Sequence, residues 1–225
     1  MRIRPLHFAS AIIATLAIIT VSPCAQAQKE FPPPQGKGRV VVVSSGASGA
    51  DHYETVSRAI AALGYDVVLY DGNAMEGTHG AALKDAIPQA LQMPHALPGK
   101  VALVGFSLGG GISLAYGTQW PDQVAVVIVW YPLTSVLKDI PGFASRLKVP
   151  VLMFAGESDT YKNCCLIGTA RSLAAAATAA NQPFELFTYP KTDHDFVQGG
   201  SHYNPTSHRD AFDRTAAKLK EYLGN

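Results

Sequence analysis

Apolar positions along this chain fall into two alternating kinds of segment. Arg39 to Ser44 is a β-branched run, RVVVVS, with no polar face, as expected of a strand buried on both sides of a sheet. A Ser/Gly/Ala loop follows, and then Tyr53, Val56, Ile60 and Leu63 recur at helical spacing until Gly64 stops the pattern. The unit repeats. Strands are predicted at 66–70, 100–105, 124–130, 149–155 and 184–189. Helices are predicted at 81–91, 108–118, 163–180 and 207–223. Strands that alternate with helices imply an α/β fold, a doubly wound, mostly parallel sheet with helices on both faces. No composition break or internal repeat divides the stretch 39–225, which reads as one domain.

The amino terminus departs from this rhythm. Arg2 and Arg4 precede an uncharged run from Phe8 to Val21, followed by Pro23 and Ala25-Gln26-Ala27. A basic start, a short apolar core and an A-x-A end describe a secretory signal peptide, residues 1–27, cleaved after Ala27. The alternatives are a membrane anchor, for which the run is short, and a lipoprotein at Cys24, where Pro23 stands in place of the expected small residue. Export implies a secreted or periplasmic protein with no stable membrane insertion. Residues 28–38, with three consecutive prolines, read as an extended leader and not as a packed element.

Composition narrows the class. The 225 residues are 48% hydrophobic and 16% charged, with 18 basic against 17 acidic side chains and a formal net charge of +1. Removing the signal takes two arginines and no acid, which turns this to −1. With no basic block, nucleic acid is not an expected partner. Low charge with moderate Gly and Pro excludes disorder, collagen and coiled coil. Three cysteines are too few for a disulfide scaffold.

In parallel sheets reactive groups gather at the carboxyl ends of strands. There the chain places Gly105-Phe106-Ser107-Leu108-Gly109, a G-x-S-x-G pattern between a predicted strand and a predicted helix. The sharp turn holds the Ser107 hydroxyl above the sheet, at the amino end of a helix whose dipole favours negative charge. A serine nucleophile needs a base, and the base an orienting acid, in the chain order Ser, acid, His. Asp159 follows the strand at 149–155 and is the expected acid; Glu157 is its rival. Of the histidines after Ser107, His194 follows the last strand and is the expected base. His202 is the alternative, and His208 reads as a solvated residue at a helix start. The Leu108 amide and that of Ala47, or of neighbouring Gly46, are the expected oxyanion donors. Phe106, Tyr131 and Phe196 are candidate acyl-pocket residues, although aromatics near strand ends commonly belong to the core.

These residues resemble the dienelactone hydrolase branch of the α/β-hydrolases, through VVLYD, GFSLGGG, VPVLMFAGESD and YPKTDHDF. The resemblance implies a triad of Ser107, Asp159 and His194. Three departures accompany it. The family typically uses a cysteine nucleophile, an acid beside the oxyanion loop where this chain has Ser44 and Ser45, and substrate-binding arginines. Gln198 stands at one such arginine position, and no Arg lies between Arg58 and Arg146. A small neutral ester or lactone is therefore the expected substrate, cleaved through an acyl-enzyme, with no cofactor or metal. The competing readings are a thioester or dienelactone hydrolase and a non-catalytic ligand-binding protein on the same fold. Cys164 and Cys165 are adjacent after the acid loop; two packed thiols are the favoured reading, and a disulfide between them is the alternative.

Overall fold

The computed structural model describes residues 28–224; the expected signal peptide and its expected cleavage point lie outside them. Seven strands form one sheet: β1 (Gln28–Phe31), β2 (Gly38–Ser44), β3 (Asp66–Tyr70), β4 (Ala96–Phe106), β5 (Val124–Trp130), β6 (Val151–Gly156) and β7 (Phe184–Tyr189). Their order is β1-β3-β2-β4-β5-β6-β7. All neighbours pair in parallel except β1, which runs antiparallel to β3.

The helices are α1 (Glu54–Ala61), α2 (Gly72–Met75), α3 (Ala81–Ala90), α4 (Ser107–Ile112), α5 (Ile140–Ser145), α6 (Ile167–Ala179) and α7 (Pro205–Leu223). The strict two-residue alternation of a strand sorts the sheet into two cores. Val41, Val43, Val67, Leu69, Val104 and Ile128 face α1 and α7. Val40, Val42, Val68, Leu103, Val127 and Val129 face α3, α4, α5 and α6. Both faces of the central strands are covered, which is why β2, β3 and β5 read as nearly unbroken apolar runs.

Three expectations need correction. Residues 28–31 are extended, as read, but form a packed edge strand, with Phe31 buried and the Arg58 guanidinium over its ring. Lys29 also pairs with Glu54 of α1. Three prolines stop any helix here, but they lie beyond the four residues that pair, so the ladder keeps its donors. The helix expected at 163–180 begins at Ile167 instead. Lys162 and Asn163 adopt left-handed φ of 48° and 53°, which a helix cannot continue through. The helix after Ser107 changes at Ser113 into a π-turn running to Gly117.

Candidate active site

Three loops at the carboxyl ends of β4, β6 and β7 converge on one point. The first carries Ser107, in a left-handed backbone conformation with φ of 47°. Such a conformation needs surroundings that impose it. Here Gly105 supplies room: a Cβ there would lie 2.6 Å from the Gly110 Cα. The Ser107 carbonyl is held by the Leu133 N–H at 2.8 Å, and Gly109 donates its N–H to the Ser45 carbonyl at 3.0 Å, drawing the loop after β2 against the turn.

The second loop brings Asp159 and the third His194. His194 Nε2 lies 3.0 Å from Ser107 Oγ, and its Nδ1 lies 2.7 Å from Asp159 Oδ2. Ser107, Asp159 and His194 are all buried. In this low-dielectric setting their mutual hydrogen bonds are stronger than in water. Asp159 also accepts the Tyr161 N–H at 3.1 Å. The Tyr161 ring then stacks on the imidazole, with centroids 4.7 Å apart and planes 12° apart, while Tyr131 meets its edge at 4.8 Å. The rival acid Glu157 points elsewhere, to Arg171 at 2.7 Å and Thr188 Oγ1 at 2.8 Å. His202, the alternative base, lies at the pocket mouth, 3.9 Å from Asp193.

The cavity above Ser107 is small, about 90 Å³, and is lined by Ala47, Tyr53, Tyr161, His194, Asp195 and His202 among others. Neither Lys nor Arg lines it. Ala47, one of the expected oxyanion donors, is therefore at the cavity, and Leu108 follows Ser107 in the first turn of α4, where N–H groups have no intrahelical acceptor. Gly46 sits so close that a Cβ on it would lie 3.1 Å from the Ser107 Cβ. Ser45, in the region where the resemblance leads one to expect an acid, has its hydroxyl 3.2 Å from Asp71 Oδ1.

The proposed acyl-pocket aromatics do not line this cavity. Phe106, Tyr131 and Phe196 are fully buried beneath it, packed on Trp130 or on one another with centroids 5.2–6.1 Å apart. They belong to the core because each side chain emerges toward the α1/α7 face of the sheet. The lining that sequence reasoning missed includes Tyr53, Tyr161 and Asp195. The buried Asp195 carboxylate gathers His52 Nε2 at 3.1 Å, the Tyr131 hydroxyl at 3.2 Å and the Ser201 N–H at 2.8 Å. Burial, and after it the charge of Asp195, push Tyr53 well above an ordinary phenol. Burial does the same to Tyr131, so both remain neutral. Only the adjacency of Asp195 to His194 hinted at this; Tyr53 lies far away in sequence.

His208, expected to be solvated, is half-buried. It packs on Trp130 at 5.6 Å and Phe212 at 6.1 Å and accepts the Gln198 N–H. Burial lowers its basicity, partly offset by Asp213. Cys164 and Cys165, read as two thiols, are joined in a disulfide beside the imidazole, within 4.8 Å of a His194 ring nitrogen. Because α6 starts only at Ile167, the pair sits in a turn and not in a helix, where adjacent side chains diverge.

The comparisons agree with this geometry at the level of fold. A dienelactone hydrolase-named protein of Klebsiella pneumoniae superposes with a TM-score of 0.74 at 21% identity, over 87% of this chain and 92% of that one. A dienelactone hydrolase-like promiscuous phosphotriesterase from metagenomic libraries gives 0.70 at 18%, over 88% and 100%. Among curated relatives, Protein usf of Aquifex pyrophilus is 25% identical over 145 residues, 64% of this chain and 60% of that protein. A carboxymethylenebutenolidase-named protein of Azospirillum brasilense is 34% identical over 89 residues, 39% of this chain and 37% of that protein. The chain thus spans less than two thirds of either curated relative. The model of the dienelactone hydrolase family matches residues 73–223, which carry the serine turn, the acid loop and the His194 loop. Across two thirds of its length, then, this α/β-hydrolase chain belongs to the dienelactone hydrolase family.

Proposed function

We propose that the chain is a serine hydrolase that cleaves small, uncharged carboxylic esters or lactones through an acyl-enzyme. The supporting observation is the relay from Ser107 Oγ to His194 Nε2 at 3.0 Å and from His194 Nδ1 to Asp159 Oδ2 at 2.7 Å. Ser107 Oγ attacks the ester carbonyl while His194 Nε2 takes its proton. Asp159 keeps the other imidazole nitrogen protonated and stabilises the cation that forms. The carbonyl oxygen, now an anion, takes hydrogen bonds from the Leu108 and Ala47 amides. Collapse of the intermediate expels the alcohol, which leaves with the His194 proton. Water, deprotonated by His194, then attacks the acyl-serine and releases the acid.

Two features favour an uncharged, short substrate. The cavity lining has the carboxylate of Asp195 but no Lys or Arg, so a substrate carboxylate would find no fixed cation. Its small volume suits acetyl better than octanoyl esters. The amino-terminal pattern and the disulfide both accord with action outside the cytoplasm, in the periplasm or the medium.

Ser107→Ala tests the reading. The wild type should hydrolyse p-nitrophenyl acetate, faster than the octanoate, and take up a fluorophosphonate label. The variant should lose both, with turnover falling by about 10⁴-fold or more. Residual turnover near the wild-type rate would sink the assignment, and a wild type that neither turns over nor labels would indicate a ligand-binding protein.

A further inference from the structure

The opposite end of the sheet holds a cluster that the hydrolase site does not use. Glu30 of β1 faces Val68 across the antiparallel ladder, and Asp66 lies two residues before Val68 on β3. The alternation of strand side chains therefore puts both carboxylates on one face. His95 completes the group from the loop entering β4, where its carbonyl accepts the Gly38 N–H. His95 Nδ1 lies 2.9 Å from Glu30 Oε1, and one donor atom from each of the three residues lies within 4.8 Å of the other two.

Asp66 distinguishes this cluster from an ordinary surface ion pair. It is 0% exposed, and neither of its carboxylate oxygens has a hydrogen-bond partner. A buried, unsatisfied carboxylate is costly if it stays charged. Glu30 and His95 by contrast are partly open to solvent, with side-chain exposures of 20% and 43%. The arrangement is a buried anionic floor with a nitrogen and an oxygen donor at an open rim.

We propose that Glu30, Asp66 and His95 bind one divalent zinc ion, which clamps the edge strand β1 to the sheet. Two carboxylates and one neutral imidazole offer the N,O set that zinc accepts, and their charges balance the ion. Ligands about 2.0–2.2 Å from a tetrahedral ion stand roughly 3.3–3.6 Å apart, so the cluster needs only a small side-chain contraction. Water at the open rim supplies the fourth position. Binding replaces the proton shared along Glu30 and His95 and any proton on Asp66, which leave to solvent. No motif spacing announces such a site, because its residues come from β1, β3 and the loop before β4.

The test is zinc titration of the chelator-stripped full chain without reductant, by calorimetry and by thermal unfolding. The expected result is one ion per chain and a raised Tm. Asp66→Asn and His95→Gln should each weaken binding by at least about tenfold and abolish the Tm shift. His79→Gln, at an exposed histidine elsewhere, should change neither. His95 is partly exposed, so its variant keeps the question answerable if the Asp66 variant misfolds. No stoichiometric heat and an unchanged Tm would overturn the proposal, leaving a carboxyl pair that shares a proton. So would tight binding that survives in the His95 variant, or binding lost equally in His79→Gln.

Discussion

Ser107, Asp159 and His194 are separated by 52 and 35 positions, yet their side chains meet within hydrogen-bonding distance. What selects Asp159 over Glu157 is direction. Two residues apart at a strand end, the two carboxylates leave the backbone differently, one inward to His194 and the other to Arg171 and Thr188. The two substitutions should therefore separate cleanly. Asp159→Asn should lower kcat on p-nitrophenyl acetate by about 10³–10⁴-fold, since the imidazole loses both its orientation and its counter-charge. Glu157→Gln should stay within a fewfold of wild type, because its partners are partly exposed. Equal losses in the two variants would refute the assignment of the acid. That Ser107, Asp159 and His194 would meet was expected from G-x-S-x-G and chain order, with Glu157 and His202 left as rivals that the geometry set aside. Tyr161 and Tyr53 were not expected, because contact with a ring across loops leaves no periodicity.

At the scale of elements, most boundaries were readable. The strands at 66–70 and 124–130 coincide with the structure, since a strand buried on both faces writes itself as an apolar run, and 184–189 coincides although FELFTY is only partly buried. Residues 28–31 show the opposite case. QKEF has one apolar residue and no periodic length, and only the neighbouring β3 makes it a strand. Its contribution is measurable. Phe31→Ala should cost about 3 kcal/mol in urea unfolding, the lower end for a buried Phe, because a sheet edge can partly collapse into the gap. A detached leader would predict no change, so a loss under about 0.5 kcal/mol would contradict the packed edge. The start of α6 was misplaced for a related reason. Ala-rich sequence favours a helix throughout 163–180, but the left-handed residues at 162 and 163 and the disulfide hold its first turn off.

At the scale of the whole molecule, His208 links stability to pH. It stands in the first turn of α7, against Trp130, Phe212 and Tyr203, and burial depresses its folded-state basicity despite Asp213. The unfolded chain then binds a proton near pH 6.5 that the folded chain resists. Stability contributed by neutral His208 is thus present above the unfolded value and declines as pH falls below it. Between pH 7.5 and 5.5 the wild type should lose more stability than His208→Gln, whose side chain cannot charge. Parallel losses in the two proteins would show that His208 does not carry the effect.

By itself the sequence determined the layered α/β architecture, the serine turn and the chain order of the strand-end loops that carry Ser107, Asp159 and His194. Each is written locally, in apolar runs, glycine placement and the succession of strand ends. Tertiary structure alone decided which aromatics were core and which lined the cavity. It also decided that residues 28–31 joined the sheet and that Glu30, Asp66 and His95 met at its far end. Those outcomes depend on which face a side chain leaves and which distant strand lies beside it. A linear sequence carries the first only where alternation is regular, and the second not at all.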